Sequence, residues 1–174
     1  MKRSEIIPTG RERSFGRDEI IVSKTDLKGI ITYGNDVFLR VAGYTEDEIL
    51  GAPHSILRHP DMPRVVFALL WESIESGREI FAYVKNLAKD GDYYWVLAHV
   101  TPTFADGRIV GYHSMRRWPD PRVVAKFEPI YAELLAIEKR APDKRSGIEA
   151  AKKALMEKLK ALGTTWDALM FAEI

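Results

Sequence analysis

An α+β fold is what this sequence predicts: one antiparallel sheet with short helices against one of its faces, followed by a helical tail. Three observations lead there. Five strand-like runs are bounded by turn residues, helical segments separate the first two runs from the last three, and after two prolines near residue 120 the pattern changes to the seam spacing of pairing helices.

Residues 1–17 hold Pro8, Gly10, Gly16 and five Arg or Lys with no apolar period, the mark of a flexible arm or an N-terminal cap ordered only by docking. Ile20-Ile21-Val22 and Ile30-Ile31-Thr32-Tyr33 are β-branched or aromatic runs, and Asp26 and Gly29 between them suit a turn, so an opening hairpin is expected. Val37, Phe38, Val41 and Tyr44 then lead into Thr45-Glu46-Asp47-Glu48, where Thr45 and Glu48 have the spacing of a capping box; two short helices fit. Pro63 starts a longer helix whose apolar residues Val66, Phe67, Leu70, Trp71 and Ile74 share one face, with Gly77 shortly after. From Glu79 three strands run to about Trp118, divided by Lys89-Asp90-Gly91 and Ala105-Asp106-Gly107, because glycine accepts the positive φ of tight hairpins.

The tail follows Pro119 and Pro121. Val123, Phe127, Ile130, Leu134 and Ile137 alternate steps of four and three, and a second seam joins Ile148, Ala151, Leu155, Leu159 and Leu162 up to Gly163. Thr164 with Asp167 then caps a short last helix carrying Trp166 and Leu169. The expected organisation is an arm at 1–17, one compact domain at 18–119 and a helical hairpin with its last helix at 120–174.

Composition narrows the function. Among 174 residues, 26 Lys and Arg face 25 Asp and Glu, so no field of one sign steers nucleic acid or anionic lipid toward the chain. Absence of cysteine removes disulfides, iron–sulfur clusters and light-driven flavin–thiol adducts together. The longest apolar run, Val65 to Trp71, is far below the ~20 residues of a membrane span, and Met1 to Arg13 offers no secretory apolar stretch; the expectation is a cytoplasmic protein without membrane insertion. No phosphate-binding glycine loop, nucleophile-elbow serine or His-Glu-x-x-His helix is present, so a stand-alone enzyme is not expected.

The phrases Thr25-Asp26-Leu27, Ile31-Thr32, Asn35-Asp36, Gly43-Tyr44-Thr45, Arg58-His59-Pro60-Asp61-Met62-Pro63, Val84-Lys85-Asn86, Gly91 to Val96 and Gly111-Tyr112 stand in one order over about residues 19–118. In that order they resemble the PAS superfamily, and specifically the PAS domain of bacterial aerotaxis receptors. The resemblance implies a PAS fold with a five-stranded sheet and a bound FAD whose oxidation state is relayed onward. FMN and haem are the alternative ligands, and a cofactor-free dimerisation or docking module is the alternative function. With no downstream signalling region after residue 174, output is expected to reach a separate signalling protein through the tail.

Each candidate residue has two readings. The Asn86 carboxamide both donates and accepts, which suits the flavin ring's O2, N3 and O4 edge, or it satisfies backbone groups beside its hairpin. Arg58 offers forked donors to phosphate and, by the resemblance, His59 and Asp61 also lie at the cofactor; alternatively this loop caps the helix after Pro63. Asn35 either reaches ribose or adenine at the mouth or is an N-cap. Phe67 and Trp71, four apart, stack on a flat ring or fill the core, and Tyr112 closes the pocket or packs across strands. Along the fourth strand Tyr93, Trp95, Leu97 and His99 share one face. By analogy with flavin-binding PAS strands, the opposite face with Val96 and Ala98 looks inward. Trp95 then points outward and needs cover from a folded-back tail or the second subunit of a homodimer. For haem, the candidate axial ligands are His54, His59, His99 and His113.

Overall fold

Local turn chemistry sets the strand register. In the computed structural model, which describes residues 6–172, β1 (Ile21–Thr25) and β2 (Ile31–Gly34) are joined through Asp26. Its Oδ1 accepts from the amides of Lys28 and Ile30 at 2.8 and 2.9 Å, and Gly29 takes φ +76°. Further on, β3 (Ile80–Leu87), β4 (Tyr93–Ala105) and β5 (Arg108–Arg117) form two hairpins. Asp106 and Gly107, at φ 49° and 73°, make the two-residue turn that puts Ala105 opposite Arg108. All pairs are antiparallel and the order is β2-β1-β5-β4-β3, so the first strand lies beside the last at the sheet centre. The α+β expectation of a five-stranded antiparallel sheet with helices is what the structure has.

Between β2 and β3 the chain crosses one sheet face as α1 (Asp36–Ala42), α2 (Glu46–Ile49), a 3₁₀ turn (His54–Leu57) and α3 (Arg64–Glu75). Thr45 and Glu48 form the expected reciprocal cap of α2. Phe38, Ile49, Val65, Val66 and Ile74 are buried beneath these helices.

The opposite face is covered by the chain's own tail through α4 (Pro121–Arg140) and α6 (Trp166–Phe171), while α5 (Lys144–Ala161) packs against α4 and α3. Tyr131 of α4 stacks on Trp95 at 6.1 Å and its hydroxyl donates to the Tyr83 carbonyl at 2.7 Å, while Phe127 lies 4.6 Å from the Tyr83 ring. Trp166 donates from Nε1 to the Phe81 carbonyl at 2.8 Å. The folded-back tail, one of the two covers expected for Trp95, lies over it.

Three tail details differ from expectation. The buried ridge of α4 runs through Val123, Val124, Phe127, Tyr131, Leu134 and Glu138, with Ile130 and Ile137 only half-buried. Packing onto a twisted sheet selects a different stripe from the straight seam between paired helices, and it admits polar-tipped residues whose tips find partners. Leu162 ends α5 exposed, and α6 is capped by Thr165, accepting from Ala168 N at 3.2 Å, one residue after the expected Thr164.

The arm is docked where it is described, while Met1 to Glu5 lie outside the described residues. Thr9 N donates to Gly91 O, Arg13 N to Tyr93 O and Tyr93 N to Arg11 O, at 2.7–2.9 Å. Thr9 and Arg11 also bond Asp92, Arg13 pairs with Asp90, and Phe15 is buried. Gly91 sits at φ +92°, and a Cβ there would stand 2.2 Å from the Ile7 carbonyl oxygen. Gly91→Ala is therefore expected to destabilise the chain by about 1–2 kcal/mol and to open residues 7–13 to limited proteolysis. Native-like protection of the arm in that variant would refute this account of its docking.

Candidate functional site

Between the sheet and α3 lies a cavity of about 600 Å³. It exists because the inward positions of β4 are small: Val96, Ala98 and Val100 line its floor, as the alternation of the strand requires. Phe67 and Trp71, one turn apart on α3, form a wall. Trp71 meets Tyr112 of β5 edge to face at 5.4 Å, and Gly29 leaves the room it needs, since a Cβ there would come within 3.0 Å of the indole.

Five of the expected residues line this cavity: Arg58, Phe67, Trp71, Asn86 and Tyr112. Asn86, near the end of β3, is 4% exposed and pairs through its backbone with Arg58. Arg58 donates from Nη2 to the Met62 carbonyl at 3.0 Å and lays its guanidinium over the Phe67 ring at 4.6 Å.

Asn35, His59 and Asp61 are not among the lining residues. Asn35 is the N-cap of α1: its Oδ1 accepts from Phe38 N and Val22 N at 3.0 Å and its Nδ2 donates to Ile20 O at 2.8 Å, which engages both ends of its amide. The His59 ring is buried, with Nδ1 accepting from Asp61 N at 3.1 Å and its edge toward Tyr93. Asp61 pairs with Lys85 at 3.0 Å in a groove shared with Trp95 and α4, on the far side of the sheet. Burial pushes the Asp61 carboxyl up, and the Lys85 ammonium outweighs it, leaving the group below its ordinary value. The Arg58 to Asp61 loop thus rounds the sheet edge, sending Arg58 to one face and Asp61 to the other.

Among the lining residues that sequence reading missed, with Ser23, Lys28 and Arg64, is Arg116. On β5 the inward positions are Tyr112, Ser114 and Arg116, and all three line the cavity. Arg116 is 1% exposed, donates from Nη2 to Ser23 Oγ and lies 4.9 Å from the Phe38 ring. Its Nε and Nη1 have no hydrogen-bond partner, and no carboxylate pairs with it among the described residues. Burial lowers it to about 10, which leaves it charged at neutral pH. Ser23 Oγ also lies 3.0 Å from His54 Nε2. His54 is pushed down to about 3 by burial and then by the charge of Arg116, so it is neutral and able to accept from Ser23. A basic residue at an inward register position was the available signal. The other candidate haem ligands stand elsewhere: His99 stacks on Phe81 and pairs with Glu79, and His113 is paired across strands with Lys24 and Thr101.

Among the described residues the lining therefore contains four cations, Lys28, Arg58, Arg64 and Arg116, and no carboxylate. Among the described residues no group of His, Asp and Glu is placed to hold a metal. No described helix is long and apolar enough to cross a membrane.

The neutral His54 has a pH consequence. Its folded value lies below the ordinary 6.5, so the unfolded chain binds a proton that the folded one refuses, and its contribution to stability is full above pH 6.5 and lost as pH falls. Urea unfolding between about pH 6.5 and pH 5 is expected to weaken by up to ~1.4 kcal/mol per unit from this group, an interval above the ordinary carboxylate range. His113, also held down by burial and by Lys24, adds to the slope, so the measure is the difference from His54→Gln. Equal slopes in the two proteins would refute a neutral His54.

Comparison with known proteins agrees with this architecture. Residues 31–116 match a family described as PAS fold. The chain is 38% identical over 162 residues, 92% of its length, to the aerotaxis receptor of Escherichia coli, of which it spans 31%. It is 28% identical over 99 residues to a nitrogen fixation regulatory protein of Klebsiella pneumoniae, covering 56% of this chain and 20% of that one. Among solved structures, the dark state of the blue-light photoreceptor Aureochrome1 LOV superposes with a TM-score of 0.54 at 27% identity, covering 68% of this chain and 83% of the other. With the sheet order, the helices on one face and these similarities together, the chain carries a PAS domain of the aerotaxis-receptor type.

Proposed function

We propose that this chain is an FAD-binding redox sensor module, acting as a sensor rather than a catalyst, with its helical tail as the output element. The observation that carries the reading is the cavity itself: walls of aromatic and aliphatic side chains, four cations and no acidic group. A flat aromatic ligand bearing phosphate is what such a lining complements. Uncompensated Arg116 asks for an oxygen-rich or anionic edge, since a buried guanidinium without counter-charge is costly to maintain.

Asn86 would pair with the donor–acceptor edge of the ring and Phe67 and Trp71 would pack against its flat surfaces, while Lys28, Arg58 and Arg64 would take phosphate oxygens. FAD is favoured over FMN because two phosphates and a second ring system use more of these cations and more of the aromatic wall. When bound, the flavin supplies a redox-dependent change of charge and protonation on its ring. The protein's part is to feel that change through Arg116 and Asn86, which sit in strands hydrogen-bonded to the rest of the sheet, and β5 continues through Trp118 and Pro119 into α4. Resemblance to the aerotaxis receptor supports the sensing role. Haem is not favoured: His54, the one histidine among the lining residues, has its Nε2 at hydrogen-bonding distance from Ser23.

Gently purified protein is expected to be yellow, with near-ultraviolet and blue absorption bands, and the chromophore released by denaturation to have the mass of FAD. Arg116→Ala and Arg58→Ala are each expected to weaken FAD retention about 10- to 100-fold, the range set by loss of one charge-assisted contact. A Soret band, protein that takes up no flavin when incubated with FAD, or unchanged retention in both variants would overturn the reading.

A further inference from the structure

Helix α3 walls the cavity, yet its own sequence does not cap its start. Pro63 occupies the N-cap position and has no side chain that accepts a hydrogen bond. The first amides are instead taken by Glu138, 74 residues along the chain in the last turn of α4: Oε2 accepts from Arg64 N at 2.9 Å and Oε1 from Val65 N at 2.8 Å. Glu138 is only 6% exposed. A carboxylate in the last turn of a helix opposes that helix's dipole, so its placement gains α4 nothing, whereas at the start of α3 the same charge meets a favourable dipole end.

The turn that holds Glu138 is in turn gripped by α5. Gly147, buried in the first turns of α5, faces the Glu138 backbone so closely that a Cβ there would stand 2.9 Å from the Glu138 carbonyl oxygen. Ile148, the next residue, lines the cavity itself. One more tie crosses between the helices, Lys152 to Glu72 at 2.6 Å, but both partners are exposed and the pair contributes little. Arg64, Phe67 and Trp71 all ride on the helix whose start Glu138 holds.

We propose that Glu138 is a positioning residue that ties the placement of the cavity helix to the docking of the tail. Filling the cavity holds α3 in place, the first turn of α3 holds the Glu138 carboxylate, and the close contact with Gly147 passes that position to α5. The proposal rests on the sensor reading only for the identity of the molecule that fills the cavity. It supplies a route to the tail distinct from the covalent one through Trp118 and Pro119.

The test is hydrogen exchange read by mass spectrometry on the full chain, native and Glu138→Ala, with and without added FAD, following residues 63–75 and 144–161. In the native chain FAD is expected to slow exchange in both segments. In Glu138→Ala the first amides of α3 are expected to exchange about tenfold faster, the usual scale of a lost cap. Residues 144–161 should then stop responding to FAD although residues 63–75 still respond. Glu138→Gln, which keeps one acceptor oxygen, should fall between, and it carries the same comparison if the alanine variant does not fold. An equal response of residues 144–161 in native and variant chains, or none in the native chain while residues 63–75 respond, overturns the proposal. If FAD does not bind, the flavin reading fails and the joint is read from Trp71→Ala, which loosens α3 from inside the cavity. Its effect on residues 144–161 must vanish in the Trp71→Ala/Glu138→Ala double variant, and an undiminished effect there refutes the joint.

Discussion

Arg116 is taken out of water by the sheet that contains it, and among the described residues the one side-chain oxygen answering it is the hydroxyl of Ser23. Much of the surrounding structure follows from that charge. His54 stays neutral beside it, Ser23 is fixed between the two, and the Phe38 ring faces the guanidinium. A buried cation with unused donors is costly to hold, and this cost, together with the hollow it borders, is what supports the proposal of a bound ligand.

The hollow persists because the two sheet faces are treated differently. On one face, β4 presents Val96, Ala98 and Val100 and leaves space; on the other, Trp95 beside Tyr83 of β3 makes an aromatic surface that Phe127 and Tyr131 cover. Strand alternation makes the division sharp, since neighbouring residues go to opposite faces. The same sheet therefore holds the cavity and the tail, with Asn86 on one side and its neighbour Lys85 on the other.

Contacts between distant segments finish both sides. Glu138 reaches past the sheet to the start of α3, and Thr9 to Phe15 close over the turn at Asp90 to Asp92. Neither contact has a local signal. A glutamate in the last turn of an amphipathic helix reads as a solvated charge, and an arm rich in arginine reads equally as mobile or as a cap ordered by docking, until the partner surfaces are brought to them.

What the sequence determined by itself was whatever depends on neighbours along the chain. The Asp-Gly turn at 106–107, the glycines at 29 and 91, the Thr45 and Glu48 cap and the three-and-four spacing on α3 are local constraints, so the strands, their succession along the chain and the shared helix face of Phe67 and Trp71 were legible, whereas the inward choice of Val96 and Ala98 came only from the resemblance to flavin-binding PAS strands. The tertiary structure alone decided where charges and polar tips end up. It placed Asn35 in a cap, split Arg58 from Asp61 across the sheet, drew Arg116, His54 and Ser23 together, and selected Tyr131 and Glu138 over Ile130 and Ile137. The physical reason is that burial and hydrogen bonding of such groups are set by the meeting of segments far apart in sequence, whereas backbone turns and helix periodicity are set within a few residues.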